Sequence, residues 1–153
     1  MRLTFWITFV VFLADQASKY YVLHVLKLDN VRAIDVLPPF FNLRMAWNEG
    51  VNFGILDGLN RWFLISVALA ISAWVAWWIS RGERRLILCL SAGLVIGGAL
   101  GNVIDRVIYG AVADFINMSC CGIRNPFSFN VADIAVFAGA FGLILFMGKE
   151  KTP

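Results

Sequence analysis

Charged side chains are scarce in this chain, at 15% of 153 residues, while 60% are hydrophobic. Soluble domains run at about 45–50% apolar, so a water-filled surround is excluded and a bilayer is expected. Histidine occurs once, as His24, and the three cysteines (Cys89, Cys120, Cys121) have no spaced partner set. Those two shortages exclude a zinc centre and a disulfide framework, because vicinal cysteines pair with each other only under strain; the thiols read as packing residues. No dense basic run exists beyond Arg81–Arg85, which reads as a membrane-side anchor, and the net charge is only +3. No nucleic-acid partner is therefore indicated. Low-complexity tails and an appended soluble module are also lacking, so a single domain over 1–153 is expected.

Long apolar runs are abundant. A hydrocarbon core of roughly 30 Å needs about 20 apolar residues per helix, and four stretches approach that: Leu3–Leu26, Trp62–Ser80, Leu86–Ile104 and Phe127–Gly148. This predicts an all-α membrane protein of four transmembrane helices. A cleavable leader over Arg2–Ala14 is the competing reading of the first stretch, but apolar character resumes at Tyr20–Leu26, beyond Lys19. Positive charge prefers the cytoplasmic side. Arg2, the turn Arg81–Arg85, and Lys149 with Lys151 would share one face if the spans alternate, so both termini are expected in the cytoplasm. Segments 27–61 and 106–126 are then expected at the opposite, periplasmic face. Within the first, Phe41, Leu43, Met45 and Trp47 alternate with more polar residues, the period of a strand with one apolar face. A small β-element on the bilayer surface is predicted between helices 1 and 2, started by Pro38-Pro39 and turned by Gly50 and Gly54.

Ionisable residues inside a bilayer are costly, and each is a functional hypothesis. Alternating spans bring Asp15, Lys19, Asn102, Asp105, Arg106, Asp114 and Asp133 to one face whatever the orientation. Gly93, Gly97 and Gly101 lie four apart and lead to Asp105, while Gly98, Asn102 and Arg106 form the adjoining row. Small residues at that spacing let helices approach closely, so the third span reads as the central packing element. Asp105 beside Arg106 reads as a structural ion pair, and Lys19 as a partner of Asp15 one turn earlier. Ser18 and Lys19 supply the letters of a Ser–Lys dyad, but consecutive helical residues diverge; His24 has no partner motif and reads as interfacial. Asp114 and Asp133 remain as carboxylates without an adjacent cation. Two such acids sharing one proton carry out aspartic-protease chemistry.

Five motifs together resemble the lipoprotein signal peptidase (signal peptidase II, prolipoprotein signal peptidase) family: Asp15-Gln16-Ala17-Ser18-Lys19, Asn48–Gly54, Gly97–Arg106, Val112-Ala113-Asp114-Phe115 and Phe129-Asn130-Val131-Ala132-Asp133. The resemblance implies a four-helix inner-membrane fold with a periplasmic β-cradle. It implies an aspartic endopeptidase that needs no metal or other cofactor and cleaves before a diacylglyceryl-modified cysteine in a precursor protein. It implies Asp114 and Asp133 as the catalytic pair, with Asp15, Lys19, Asn48, Asn102, Asp105, Arg106 and Asn130 lining or supporting the site. The partners expected are lipid-modified precursors and membrane lipids, and the protein is expected to act as a monomer. Val51-Asn52 departs from the small apolar residues more usual in the second motif, and Asn117–Phe127 matches no family pattern. A small transporter or channel subunit that uses the same acids as a proton or ion path is the main alternative, and an assembly factor packing through the glycine stripe is another. The first calls for polar residues spread through the membrane depth, whereas here they sit on one side.

Overall fold

A computed structural model describes residues 1–50, 60–82, 85–120 and 125–147. Gly54, expected as a turn, and the variant pair Val51-Asn52 lie outside the described residues. The elements run α1 (Arg2–Tyr20), a π-helical segment (Tyr21–Val25), α2 (Leu28–Val31), β1 (Ala33–Leu37), β2 (Phe41–Asn48), α3 (Arg61–Arg81), α4 (Leu86–Ile108), β3 (Val112–Met118) and α5 (Val131–Met147).

Two of the helices, α3 with 21 residues and α4 with 23, are long and apolar enough to cross a membrane. They differ in surroundings. Along α3 only Ile65, Ser72, Val75 and Ile79 are buried, a single stripe at helical spacing. Trp62, Phe63, Ile71, Trp74 and Trp77 are exposed on its other faces. An apolar surface of this extent is untenable in water and is suited to lipid. By contrast α4 is buried on several faces, with Leu88, Ala92, Val95, Gly98, Val103 and Asp105 all enclosed, because α1, α3 and α5 all pack on it. At one end Val75, Ile79, Leu88, Cys89 and Ala92 close a core with Leu3, Trp78, Leu143 and Phe146 around it.

The glycines make this convergence possible. A Cβ on Gly97 would lie 2.7 Å from the Thr8 carbonyl oxygen, and one on Gly93 2.7 Å from the Ile7 Cβ, both on α1. Further along the same row, a Cβ on Gly101 would collide with the Asp15 carboxylate of α1, and on the adjoining row one on Gly98 would collide with the Ala132 carbonyl oxygen of α5. Gly98→Ala is therefore expected to cost about 1–3 kcal/mol through overpacking, read as a fall in the thermal midpoint in detergent. Gly82→Ala, whose Cβ would meet only the Trp78 carbonyl oxygen at an ordinary 3.4 Å, should leave that midpoint nearly unchanged.

The β-element is larger than expected and drawn from two places. Its strands pair antiparallel in the order β1-β2-β3, with Leu37 opposite Phe41 across the Pro38-Pro39 turn. β3 follows α4, so the sheet does not arise solely between the first two long helices, which corrects the expectation. The β2–β3 register sets Ala46 opposite Asp114 and Asn48 opposite Val112. One face packs onto the end of the first helical stretch through Val22, Leu28 and Phe115, flanked by Ile34, Leu43, Met45 and Ile116.

Two helix ends differ from the ends of the expected spans. α4 runs on to Ile108, four residues past Ile104, so Arg106, expected to open the outer segment, is helical like Asp105. The fourth helix begins at Val131, not Phe127. Phe129 is instead extended, exchanging backbone hydrogen bonds with Ile116 at 2.8 and 3.0 Å. Asn130 then caps the helix: its Oδ1 accepts from Asp133 N at 2.9 Å, while its own N–H donates to Asp133 Oδ2 at 3.2 Å. This is the reciprocal arrangement of a capping box.

Candidate active site

Four elements deliver polar side chains to one place where α1, α4, β3 and the start of α5 meet. Asp15, Asp105, Asp114 and Asn130 are 0–2% exposed, and Lys19 is 3% exposed. Polar groups buried this deeply need partners, and their partners are one another.

The lower tier is built on Lys19. Its ammonium lies 2.8 Å from Asp15 Oδ2, as expected, and also 2.8 Å from Asp105 Oδ2. Asp105 therefore pairs with Lys19 across the helix interface and not with Arg106, because neighbours on a helix point about 100° apart. Gln16, which the sequence reading passed over, completes the tier by donating to Asp15 Oδ2 and Asp105 Oδ1, each at 3.1 Å. Both acids also reach outward to backbone. Asp105 Oδ2 accepts the Ala113 N–H at 3.2 Å, and Asp15 Oδ1 accepts the Ala132 N–H at 2.9 Å. Each supporting acid thus grips the residue immediately before one of the two remaining acids.

Those two, Asp114 and Asp133, form the upper tier. Asp114 accepts from Asn130 Nδ2 at 2.7 Å on Oδ1 and from Asn48 Nδ2 at 3.0 Å on Oδ2. Asp133 accepts from Asn102 Nδ2 at 2.9 Å on Oδ1, and from the Asn130 N–H on Oδ2. Asn130 touches both acids, with its side chain on one and its backbone on the other. Burial, and next the negative charge of Asp133, push the Asp114 carboxyl up from 3.8 to about 7. The description of these acids as lacking nearby cations needs correction. Lys19 acts on Asp114 and Arg106 on both acids at longer range. Arg106 donates to the Gly50 carbonyl at 2.6 Å and tethers the chain just beyond β2; its buried Nε has no partner among the described residues.

Asn102, Arg106 and Asp133 form the polar end of a cleft of about 430 Å³ whose remaining walls are apolar: Leu64, Val67 and Ile71 of α3, Val95 and Ala99 of α4, Val136 and Phe137 of α5. All nine sequence-predicted site residues converge on this region. His24 stands apart, stacked on Tyr20 at 4.8 Å between ring centroids. Ser18 donates to the Asp15 carbonyl and does not face Lys19.

Helices apolar enough to cross a membrane enclose a cleft with one polar, acid-bearing end, an arrangement compatible with a membrane enzyme. Two solved structures, each described as a bacterial membrane enzyme structure by the in meso method, at 2.3 Å and 1.9 Å resolution, are similar to it throughout. The first has a TM-score of 0.83 and 29% identity, covering 100% of this chain and 95% of that one; the second has 0.81 and 30%, covering 99% and 96%. The chain belongs to the signal peptidase (SPase) II family, whose model matches residues 7–149. Among relatives named lipoprotein signal peptidase, that of Alteromonas mediterranea is 38% identical over 149 residues, 95% of this chain and 80% of the relative. That of Methylobacterium sp. (strain 4-46) is 42% identical over 134 residues, 86% and 79%.

Proposed function

We propose that this peptidase removes signal peptides from lipoprotein precursors by aspartic chemistry, with Asp114 and Asp133 as the catalytic pair, cutting before a diacylglyceryl-modified cysteine. The observation that carries the reading is the pairing of the two acids through Asn130, with Asp133 at the polar end of the cleft. Two carboxyl groups so held favour sharing one proton. The ionised member activates a water, and the protonated one polarises the scissile carbonyl and later releases its proton toward the leaving amide. Asp15, Lys19, Asn48, Asn102, Asp105 and Asn130 support the pair, and the unpartnered Arg106 Nε suits a peptide carbonyl entering the cleft.

The apolar cleft walls suit a substrate that arrives in the bilayer with its acyl chains. A chain of four spans, with both termini cytoplasmic and the site at the periplasmic face of the bacterial inner membrane, would meet it there. The two apolar helices, the lipid-compatible face of α3 and the family membership support this arrangement. Action as a monomer is part of the same proposal. An ion path is the weaker reading, because the site's acids are gathered in two adjoining tiers and the cleft lining beyond Asn102, Arg106 and Asp133 is apolar.

The test is cleavage of a diacylglyceryl-modified precursor by the purified protein, followed across pH. Since Asp114 keeps its proton up to about 7, kcat/KM is expected to fall as pH rises through about 7; a profile flat to pH 9 would remove Asp114 from the protonated role. The sign for stability agrees. A carboxyl whose folded value is raised costs stability progressively between 3.8 and about 7, and the loss levels off above that. Added chelator is expected to leave turnover unchanged, since amide donors already occupy the oxygens of both acids; inhibition reversed by a divalent cation would reopen the assignment.

A further inference from the structure

The proton shared by two acids must rest on one of them, and the hydrogen bonds around the pair are not symmetric. Asn102 is fixed in orientation from below. Its Oδ1 accepts from the Lys19 ammonium at 3.2 Å and from Asn130 Nδ2 at 3.2 Å. An ammonium has no acceptor capacity, so the carboxamide cannot turn over, and its NH2 must face Asp133 Oδ1 at 2.9 Å. Asp133 itself sits in the first turn of α5, with its Oδ2 on the N–H of the capping Asn130, where the exposed amides and the helix dipole favour negative charge. Asp114 lies on β3, and its two donors are neutral side-chain amides.

We infer that Asn102, locked by Lys19, is a positioning residue that holds Asp133 as the ionised, water-activating member of the pair and leaves the resting proton on Asp114. This rests on the catalytic assignment above and goes beyond it by dividing the roles. The charged groups acting on Asp133 are Asp114 from β3 and Arg106 from α4, with Asp105 of α4 and Asp15 and Lys19 of α1 paired with one another in the tier beneath, while α3 presents only apolar side chains to the cleft. The Asp114 carboxyl, pushed up by burial and then by the charge on Asp133, is consistent with that division.

The experiment is the pH profile of kcat/KM on the diacylglyceryl-modified precursor, for the intact protein and two variants. Asn102→Leu removes the donor to Asp133, together with the acceptor of Lys19 and Asn130, and keeps the ion pairs of Lys19 with Asp15 and Asp105. Lys19→Met with Asp105→Asn unlocks Asn102 while keeping the cluster's charge: one cation and two acids sum to −1 before, and Asp15 alone gives −1 after. In both variants the acidic limb, which reports protonation of the ionised partner, is expected to move up by about one pH unit, the size of one lost charge-assisted hydrogen bond. The alkaline limb should stay near its original place in Asn102→Leu, and should rise only in the variant that lacks Lys19, whose charge lowers the Asp114 carboxyl. A uniform drop at every pH with both limbs unmoved would make Asn102 merely structural and overturn the inference. Movement of the alkaline limb alone would place the proton on Asp133 and overturn it as well. Failure of the catalytic assignment is distinguishable, since it would show as activity in Asp114→Asn or Asp133→Asn.

Discussion

Asp114→Asn and Asp133→Asn are each expected to lower kcat for precursor cleavage by about 10³-fold or more while leaving the fold intact. Positioned proton transfer contributes about 10²–10⁴-fold, and an asparagine can neither hold the shared proton nor activate water. The substitution is nearly isosteric. The amides around each acid are donors only on the side they present, from Asn48 and Asn130 to Asp114 and from Asn102 and Asn130 to Asp133, and an asparagine carbonyl can still accept one of them. The other donor then faces the new NH2, so the thermal midpoint should fall by the equivalent of about 1–3 kcal/mol, with the fold retained. Because the acids act as one unit, the double variant should be scarcely slower than either single one. Turnover within tenfold of the unaltered protein in either variant would end the dyad assignment.

Lys19→Met is expected to be the most destabilising single change, by about 3–5 kcal/mol, because it strands two buried carboxylates. Both lie 2.8 Å from the ammonium, with side chains 0% and 1% exposed. The measurement is unfolding in detergent at neutral pH. Adding Asp15→Asn and Asp105→Asn to Lys19→Met should restore most of the loss, since replacing a whole buried ionic set with neutral groups is far milder than breaking it. If Lys19→Met alone unfolds like the unaltered protein, the lower tier is not ionised as drawn.

Much of this site was legible from residue type and spacing, and the failures have physical causes. The convergence of polar residues followed from the alternation of apolar runs, and the role of α4 followed from its glycines at four-residue spacing. The Lys19–Asp15 pair is local to one helix and could be read. The Lys19–Asp105 pair could not, because it depends on how α1 rotates against α4. β3 shows no alternation to read, since Val112 through Phe115 are all buried, and only its pairing with β2 marks it as a strand. The start of α5 was misplaced although a signal existed: Asn130 followed three residues later by Asp133 is the spacing of a capping box. Gln16 also had a signal, being a polar residue inside an apolar span, and was overlooked beside its charged neighbours.

The sheet takes β1 and β2 from before α3 and β3 from after α4, and Asp133 arrives only with α5. This order has a consequence in time. While the chain is being made, Asn48 waits for Asp114, which is 66 residues further on, and Asp114 waits for Asn130. A nascent chain released before the final helix holds no assembled pair of acids and no cleft wall from α5. On the proposed mechanism, hydrolytic capacity therefore switches on only once α5 is in place, and a product truncated before it is expected to be inert toward its neighbours in the membrane.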